Sequence, residues 1–144
     1  MILSKNFTLQ EFTKSVTAIR NDIDNSPNAE HIRNIQLLVK FVLQPLREGL
    51  NKPIRITSGY RSESLNKLIK GSKRSQHCKG QAADLQFRVD GVMDNKAIWD
   101  KVIELDLPFD QMINEFDFAW IHISLKADKN RKEVLEAYKD KDGD

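Results

Sequence analysis

Apolar residues shift between helical and strand spacing along the chain, and each shift marks an element. Thr8-Leu9-Gln10-Glu11 has the pattern of a capping box, with Phe7 and Phe12 placed as its hydrophobic staple, so a short helix is predicted to begin there. Ser26-Pro27 is a second start signal, an N-cap followed by proline at the first helical position. Behind it Ile32, Ile35, Val39 and Val42, flanked by Leu38 and Leu46, recur at helical spacing. They predict a long helix that ends near Gly49, with Pro45 as the point where it would bend.

Pro53 to Thr57 alternates and is β-branched, which predicts a strand closed by Ser58-Gly59. Ser62 is placed to cap a short helix carrying Leu65, Leu68 and Ile69, stopped by Gly71. Residues 71–75 read as a loop, Ala82 to Val89 as a strand and Asp90-Gly91 as a turn. Ala97, Ile98, Val102 and Ile103 indicate another amphipathic helix. Phe109 to Phe116 and Trp120 to Leu125 then read as two adjacent strands. Helices first, then strands with helices between, predict an α+β fold of one domain: a small antiparallel sheet with helices packed on one side. That domain is expected over residues 1–127, with 128–144 as a charged C-terminal helix fraying into a disordered tail.

With 144 residues the chain has room for one hydrophobic core. A composition 40% hydrophobic and 31% charged is that of an ordinary soluble protein, and the net charge of +2 is only a weak pointer to an anionic partner. No stretch reaches the roughly 18 apolar residues of a membrane helix, and no signal peptide is visible at the N-terminus, so synthesis in the cytoplasm is expected. A single cysteine, Cys78, excludes an internal disulfide. The basic cluster Lys70-Gly71-Ser72-Lys73-Arg74 lacks interleaved aromatics and is offset by 21 acidic residues, so no nucleic-acid partner is expected.

Candidate chemistry gathers at His77, Asp84 and His122. Zinc takes imidazole nitrogen, thiolate or carboxylate oxygen, and catalytic sites use three protein ligands with one position left for water. His77 sits in the loop Ser75-Gln76-His77-Cys78-Lys79-Gly80, which can present it by a backbone turn. Asp84 and Gln86 share the strand face opposite Ala83, Leu85 and Phe87. Likewise Ile121 and Ile123 point to a core while Trp120, His122 and Ser124 point to a cleft. Taken singly, each has an ordinary structural fate: a lone strand histidine is most often structural, and an aspartate after two alanines is usually a strand-end residue. Cys78, beside His77, reads as a small buried hydrophobe rather than a fourth ligand, because a thiolate there would close the open position. His31, among Glu30 and Arg33, reads as solvent-facing.

Three blocks, Ser58-Gly59-Tyr60-Arg61-Ser62, Ser75-Gln76-His77-Cys78-Lys79-Gly80-Gln81-Ala82-Ala83-Asp84 and Trp120-Ile121-His122-Ile123-Ser124, resemble the D-Ala-D-Ala carboxypeptidase family of zinc peptidases. That family looks like a branch of the set containing lysostaphin-type enzymes and the hedgehog signalling domain. The resemblance extends upstream through Phe7 to Phe12, Asp24 to Pro27 and Pro45 to Arg47, and so covers most of the chain to about Leu125. It implies a murein peptidase acting on peptidoglycan stem peptides, with one zinc ion held by His77, Asp84 and His122. It implies metal-assisted amide hydrolysis, Arg61 binding a substrate carboxylate or the carbonyl oxygen, Ser75 binding substrate or orienting its loop, and Tyr60 and Trp120 lining the cleft.

Many relatives carry the general base three residues before the last histidine, where this chain has Ala119. The nearest candidates are Glu115 and Asp117. If the hairpin turns over an even-numbered loop so that paired residue numbers sum to 237, Glu115 lies opposite His122 on the same face. An odd loop would put Asn114 there instead. Gln111-Met112-Ile113-Asn114-Glu115 also resembles branches of the family with Gln-x-Ile-x-Glu before the final motif, which favours Glu115, with Asp117 the runner-up. The rival function is a zinc-containing, non-catalytic module, like the hedgehog branch, that binds cell-wall peptide or a partner protein. By analogy, a missing signal peptide and wall-binding domain fit a phage endolysin released at lysis, and a monomer is expected.

Overall fold

The computed structural model describes residues 1–137. Its elements follow in the order β1 (Ile2–Ser4), β2 (Phe7–Thr8), α1 (Leu9–Thr13), α2 (Val16–Arg20), α3 (Ala29–Leu38), a π-helical turn (Val39–Leu43) and α4 (Gln44–Leu50). Then come β3 (Ile54–Ser58), α5 (Glu63–Leu68), a 3-10 turn (Gln76–Lys79), β4 (Ala82–Val89) and β5 (Val92–Met93). The chain continues with α6 (Asn95–Glu104), β6 (Gln111–Glu115), β7 (Trp120–Ser124) and β8 (Glu133–Ala137). The fold is α+β, and no helix among the described residues is long and apolar enough to cross a membrane.

The main sheet runs β3-β4-β7-β6-β8, with β5 paired to β4. Its pairings are antiparallel apart from β6–β8, which is parallel. The sheet is therefore mixed where an antiparallel one was expected, and the cause is β8. This segment was expected to be a charged helix. A five-residue exposed helix is marginal on its own, whereas the free edge of β6 offers a full ladder, from Gln111 opposite Glu133 to Glu115 opposite Ala137. Lys132 N–H and Glu133 N–H bond the carbonyls of Phe109 and Asp110 and start that ladder. The rest of the expected tail, 138–144, lies outside the described residues.

One face of the sheet is apolar. Leu85, Met112, Ile121 and Ile123 are fully buried there and share a core with Leu38, Val42 and Leu46 of the long helical segment and Ile98 and Val102 of α6. The capping box at Thr8 forms, Glu11 Oε1 accepting Thr8 N–H at 2.9 Å. The long helix starts two residues later than its Ser-Pro signal: Asn28 is the N-cap, accepting His31 N–H at 2.8 Å. At Pro45, the expected point of bending, the helical hydrogen-bond ladder changes. Having no N–H, Pro45 cannot complete an α-type step, and the chain takes a π-helical turn just before it, with Gln44 N–H reaching back to Val39. His31 is half-buried, its ring 5.0 Å from that of Tyr60, rather than solvent-facing.

The opposite sheet face carries polar side chains, which is why the alternation in β4 and β7 matters. With the core face sealed by helices, Asp84, His122, Trp120 and Glu115 must occupy the other face.

Candidate metal centre

The turn over Gln76–Lys79 hangs from a short set of bonds. Ser75 Oγ accepts the N–H of His77 at 3.2 Å, Cys78 N–H bonds Ser75 O, and Gly80 closes the turn at φ 73°. Glycine is required at position 80 twice over. A Cβ there would need a left-handed conformation and would lie 2.4 Å from the carbonyl oxygen of His31. The turn is thus pressed against α3, and His77, only 2% exposed, is aimed inward.

His77 Nδ1 lies 2.7 Å from the carbonyl oxygen of Gly59, so Nδ1 carries the proton and donates it there. That leaves Nε2 as a lone pair, and Nε2 faces Asp84 Oδ1 at 3.4 Å. The same Asp84 oxygen is 3.0 Å from His122 Nδ1. Asp84 and His122 are directly paired across β4 and β7. One ligand atom from each of His77, Asp84 and His122 lies within 4.8 Å of the others.

Two acceptors facing each other at this range repel unless a proton or cation lies between them. Ligands at about 2.0–2.1 Å from a tetrahedral zinc are about 3.3 Å apart, close to the two spacings found here. The donor set of two imidazoles and a carboxylate is the catalytic type, leaving a position open, so these residues fit the ion. Burial pushes the Asp84 carboxyl up, but the imidazoles of His122 and His77 set against it outweigh that and hold Asp84 well below the usual carboxylate range. It is anionic and ready to ligate.

The triad opens into a cavity of about 590 Å³ lined also by Arg61, Arg74, Ser75, Gln76, Gln111, Glu115, Trp120 and Arg131. Arg61 enters from the end of β3: its backbone N–H bonds His77 O, and Nη2 donates to Ser75 Oγ at 3.2 Å. Its buried Nε has no partner among the described residues. Tyr60, expected in the cleft, is instead a core residue, 6% exposed, and does not line this cavity. Cys78 is half-buried rather than buried, burial pushes its thiol up, and it is not one of the clustered ligand residues.

The β6–β7 hairpin differs in register from the expectation. Glu115 pairs with Trp120, and Ile113 with His122. The loop is residues 116–119, even-numbered, so the parity is unchanged and Glu115 faces the cleft, but it stands one diagonal step from His122, about 7 Å at most between Cβ atoms. Asp117 is exposed in the turn and does not line the cavity. Burial raises the Glu115 carboxyl above its ordinary value; the charge of Asp84 adds to this and that of His122 opposes it.

The shortened loop needs three successive left-handed residues, Phe116, Asp117 and Phe118, at φ 52°, 56° and 62°. Such positions each cost on the order of 1 kcal/mol. They are held from outside: Phe116 N–H by Ala137 O, Phe118 N–H by Asn114 Oδ1, and the carbonyls of Phe118 and Ala119 by Asn95 Nδ2 at 2.8 and 3.0 Å. Asn95 and two further polar anchors escaped the sequence reading. Asn25 holds the Arg61 loop through Tyr60 O and Ser62 N. Asp110, fully buried, takes Gln76 Nε2 and the Arg131 guanidinium. Their partners are backbone groups or residues far along the chain, so no local pattern marks them.

Fold and donor set together define the class: an α+β domain with a His-Asp-His cluster that could hold a metal ion on the polar face of its sheet, a donor set suited to activating water for hydrolysis. The peptidase M15 family model matches residues 5–124, and the chain belongs to that family of zinc-dependent metallopeptidases. No curated relative matches the chain significantly.

Proposed function

We propose that this chain hydrolyses peptide bonds in peptidoglycan stem peptides, as a D-Ala-D-Ala carboxypeptidase or a murein endopeptidase, with one zinc ion on His77, Asp84 and His122 and Glu115 as general base. The observation that carries the reading is one cavity shared by the triad, an elevated carboxyl at Glu115 and the Arg61 guanidinium. Those are the three parts that water-driven amide cleavage needs: a ligand set, a proton carrier and a cation for developing charge.

Zinc, when bound, lowers the pKa of its water towards about 7 and polarises the scissile carbonyl. The chain's own residues do the rest. Glu115 takes the proton of the attacking water at its carboxylate and hands it to the leaving amine nitrogen. Arg61, oriented by Ser75 through Nη2, offers Nη1 to the carbonyl oxygen or to a substrate carboxylate. Ser75 Oγ accepts from His77 N–H and Arg61, which keeps its hydroxyl proton for substrate. Trp120, packed against Phe116 at 5.3 Å, supplies an apolar wall.

Purified peptidoglycan, incubated with the zinc-loaded chain and analysed by mass, should release peptide fragments, and a chelator should stop it. Glu115→Gln should abolish release while zinc stays near one per chain. Undiminished release from that variant removes Glu115 from the mechanism. Stoichiometric zinc with no fragments from the unaltered chain instead establishes the non-catalytic binding module.

A further inference from the structure

The segment after the family-matched residues brings a further arginine, Arg131, into the cleft beside Arg61 and Arg74. Asp110, just before β6, is fully buried and accepts four contacts from Arg131: backbone N–H to Oδ1 at 2.9 Å, Nε to Oδ1 at 3.1 Å and to Oδ2 at 3.3 Å, and Nη2 to Oδ2 at 2.7 Å. Gln76 Nε2, next to the ligand His77, donates to the same carboxylate at 3.1 Å, and Lys126 Nζ lies 3.5 Å away. The hydrogen bonds from Arg131 hold Asp110 well below the usual carboxylate range. The one buried negative charge is thus met by two cations, Arg131 and Lys126, with Glu133 4.0 Å from Arg131 Nη1 as the second anion of the group.

Arg131 spends Nε and Nη2 on Asp110, while Nη1 has only Glu133 Oε1 at 4.0 Å, an oxygen that already accepts Gln111 Nε2 at 2.7 Å. The guanidinium lines the cavity with one edge clamped and the other free. An arginine fixed in this way gives up little side-chain freedom when it takes a carboxylate.

Sheet order fixes its place. Arg61 follows β3, Asp84 is on β4, His122 on β7, Glu115 and Gln111 on β6, and Arg131 precedes β8. The strand that leads to Arg61 and the strand that follows Arg131 thus lie at opposite edges of the path, with the strands of the triad between them. From β7 to β8 is two strand spacings, about 10 Å, which an extended peptide covers in about three residues.

We infer that Arg131 is a specificity-determining residue of the cleft: it binds a free carboxylate on the acyl side of the substrate peptide, about three residues from the scissile bond. The inference rests on the peptidase reading above for its frame. Its chemistry requires a substrate with an acidic group at that remove, on the side of the cleft away from Arg61.

The test uses two synthetic stem-type pentapeptides ending in D-Ala-D-Ala, with a γ-linked glutamate at the second position whose α-carboxylate is either free or amidated. Turnover and equilibrium binding, the latter by calorimetry, are measured on the zinc-loaded chain. Amidation should raise KM and Kd about tenfold at unchanged kcat, the loss expected for one charge-assisted pair. In Arg131→Gln the preference for the free carboxylate should disappear, the free-carboxylate peptide weakening about tenfold more than the amide. Equal KM and Kd for the two peptides on the unaltered chain, or equal weakening of both by Arg131→Gln, overturns the inference. Should Arg131→Gln unfold, the two peptides on the unaltered chain still decide. If neither peptide is cut, the carboxypeptidase form of that reading fails, while the ratio of the two Kd values still reads Arg131 directly.

Discussion

Replacing Asn95 by alanine tests whether the hairpin that carries Glu115 is held in shape from α6. Asn95 is 2% exposed, and its Oδ1 accepts the Phe87 N–H at 2.8 Å. Phe87 is itself 3% exposed, so the truncation buries an amide with no acceptor, at a cost of about 1–3 kcal/mol. The two bonds from Nδ2 are lost as well. The Ala119 carbonyl keeps Gln86 Nε2 at 3.1 Å, but the Phe118 carbonyl loses the donor that helps hold the left-handed turn. Alanine recovers about 0.5 kcal/mol of helix propensity at the start of α6. The net loss is about 2–3 kcal/mol, equivalent to a fall in Tm of about 6–12 °C for a domain of this size. Thermal unfolding of the metal-free chain, followed by circular dichroism with chelator present, reads it without interference from ion binding. Activity of the zinc-loaded variant at a temperature where it is fully folded should fall further than zinc affinity, because Glu115 ends at the turn whereas His122 is also held by its pairing with Asp84 on β4. A Tm within about 2 °C of the unaltered chain would falsify the claim that Asn95 holds this turn.

Gly80→Ala should destabilise the chain by at least about 2 kcal/mol, since it combines a left-handed φ of 73° with a 2.4 Å approach to His31 O, and chemical denaturation measures it. Release of His77 from its place should weaken zinc binding in the same variant, read by competition with a chromophoric chelator. The raised Glu115 carboxyl gives a pH prediction with a fixed sign. Its folded pKa lies above the unfolded 4.5, so the stability it contributes is present below pH 4.5 and lost as pH rises through the folded value. Glu115→Gln should therefore stabilise the metal-free chain at pH 7, with the gain shrinking towards pH 4.5; a gain that grows on acidification contradicts the burial argument.

Local patterns carried much of the architecture. Periodicity located the long helical segment, β3, β4, α6 and the β6–β7 pair, because each buries one face and must repeat at its own period. Alternation also put Asp84 and His122 on polar faces of their strands, and parity put Glu115 with them. What alternation could not do was fix register: a shift of two residues keeps every side chain on its face, so 237 and 235 are equally good sums until the turn is known. The turn was decided by Asn114 just before it together with Asn95 and the Ala137 carbonyl, the last two distant from it in sequence.

The sequence by itself therefore determined which residues are able to ligate, which faces are polar and that one core would form, since these depend on residue type and on spacing along a single element. Tertiary structure alone decided that β8 is a strand, that Tyr60 turns to the core, that Glu115 stands diagonal to His122, and that Asp110 draws Arg131 to the cleft. Each of these is set by a partner distant in sequence, and a hydrogen bond or a buried charge contributes only once the whole chain has brought that partner within reach.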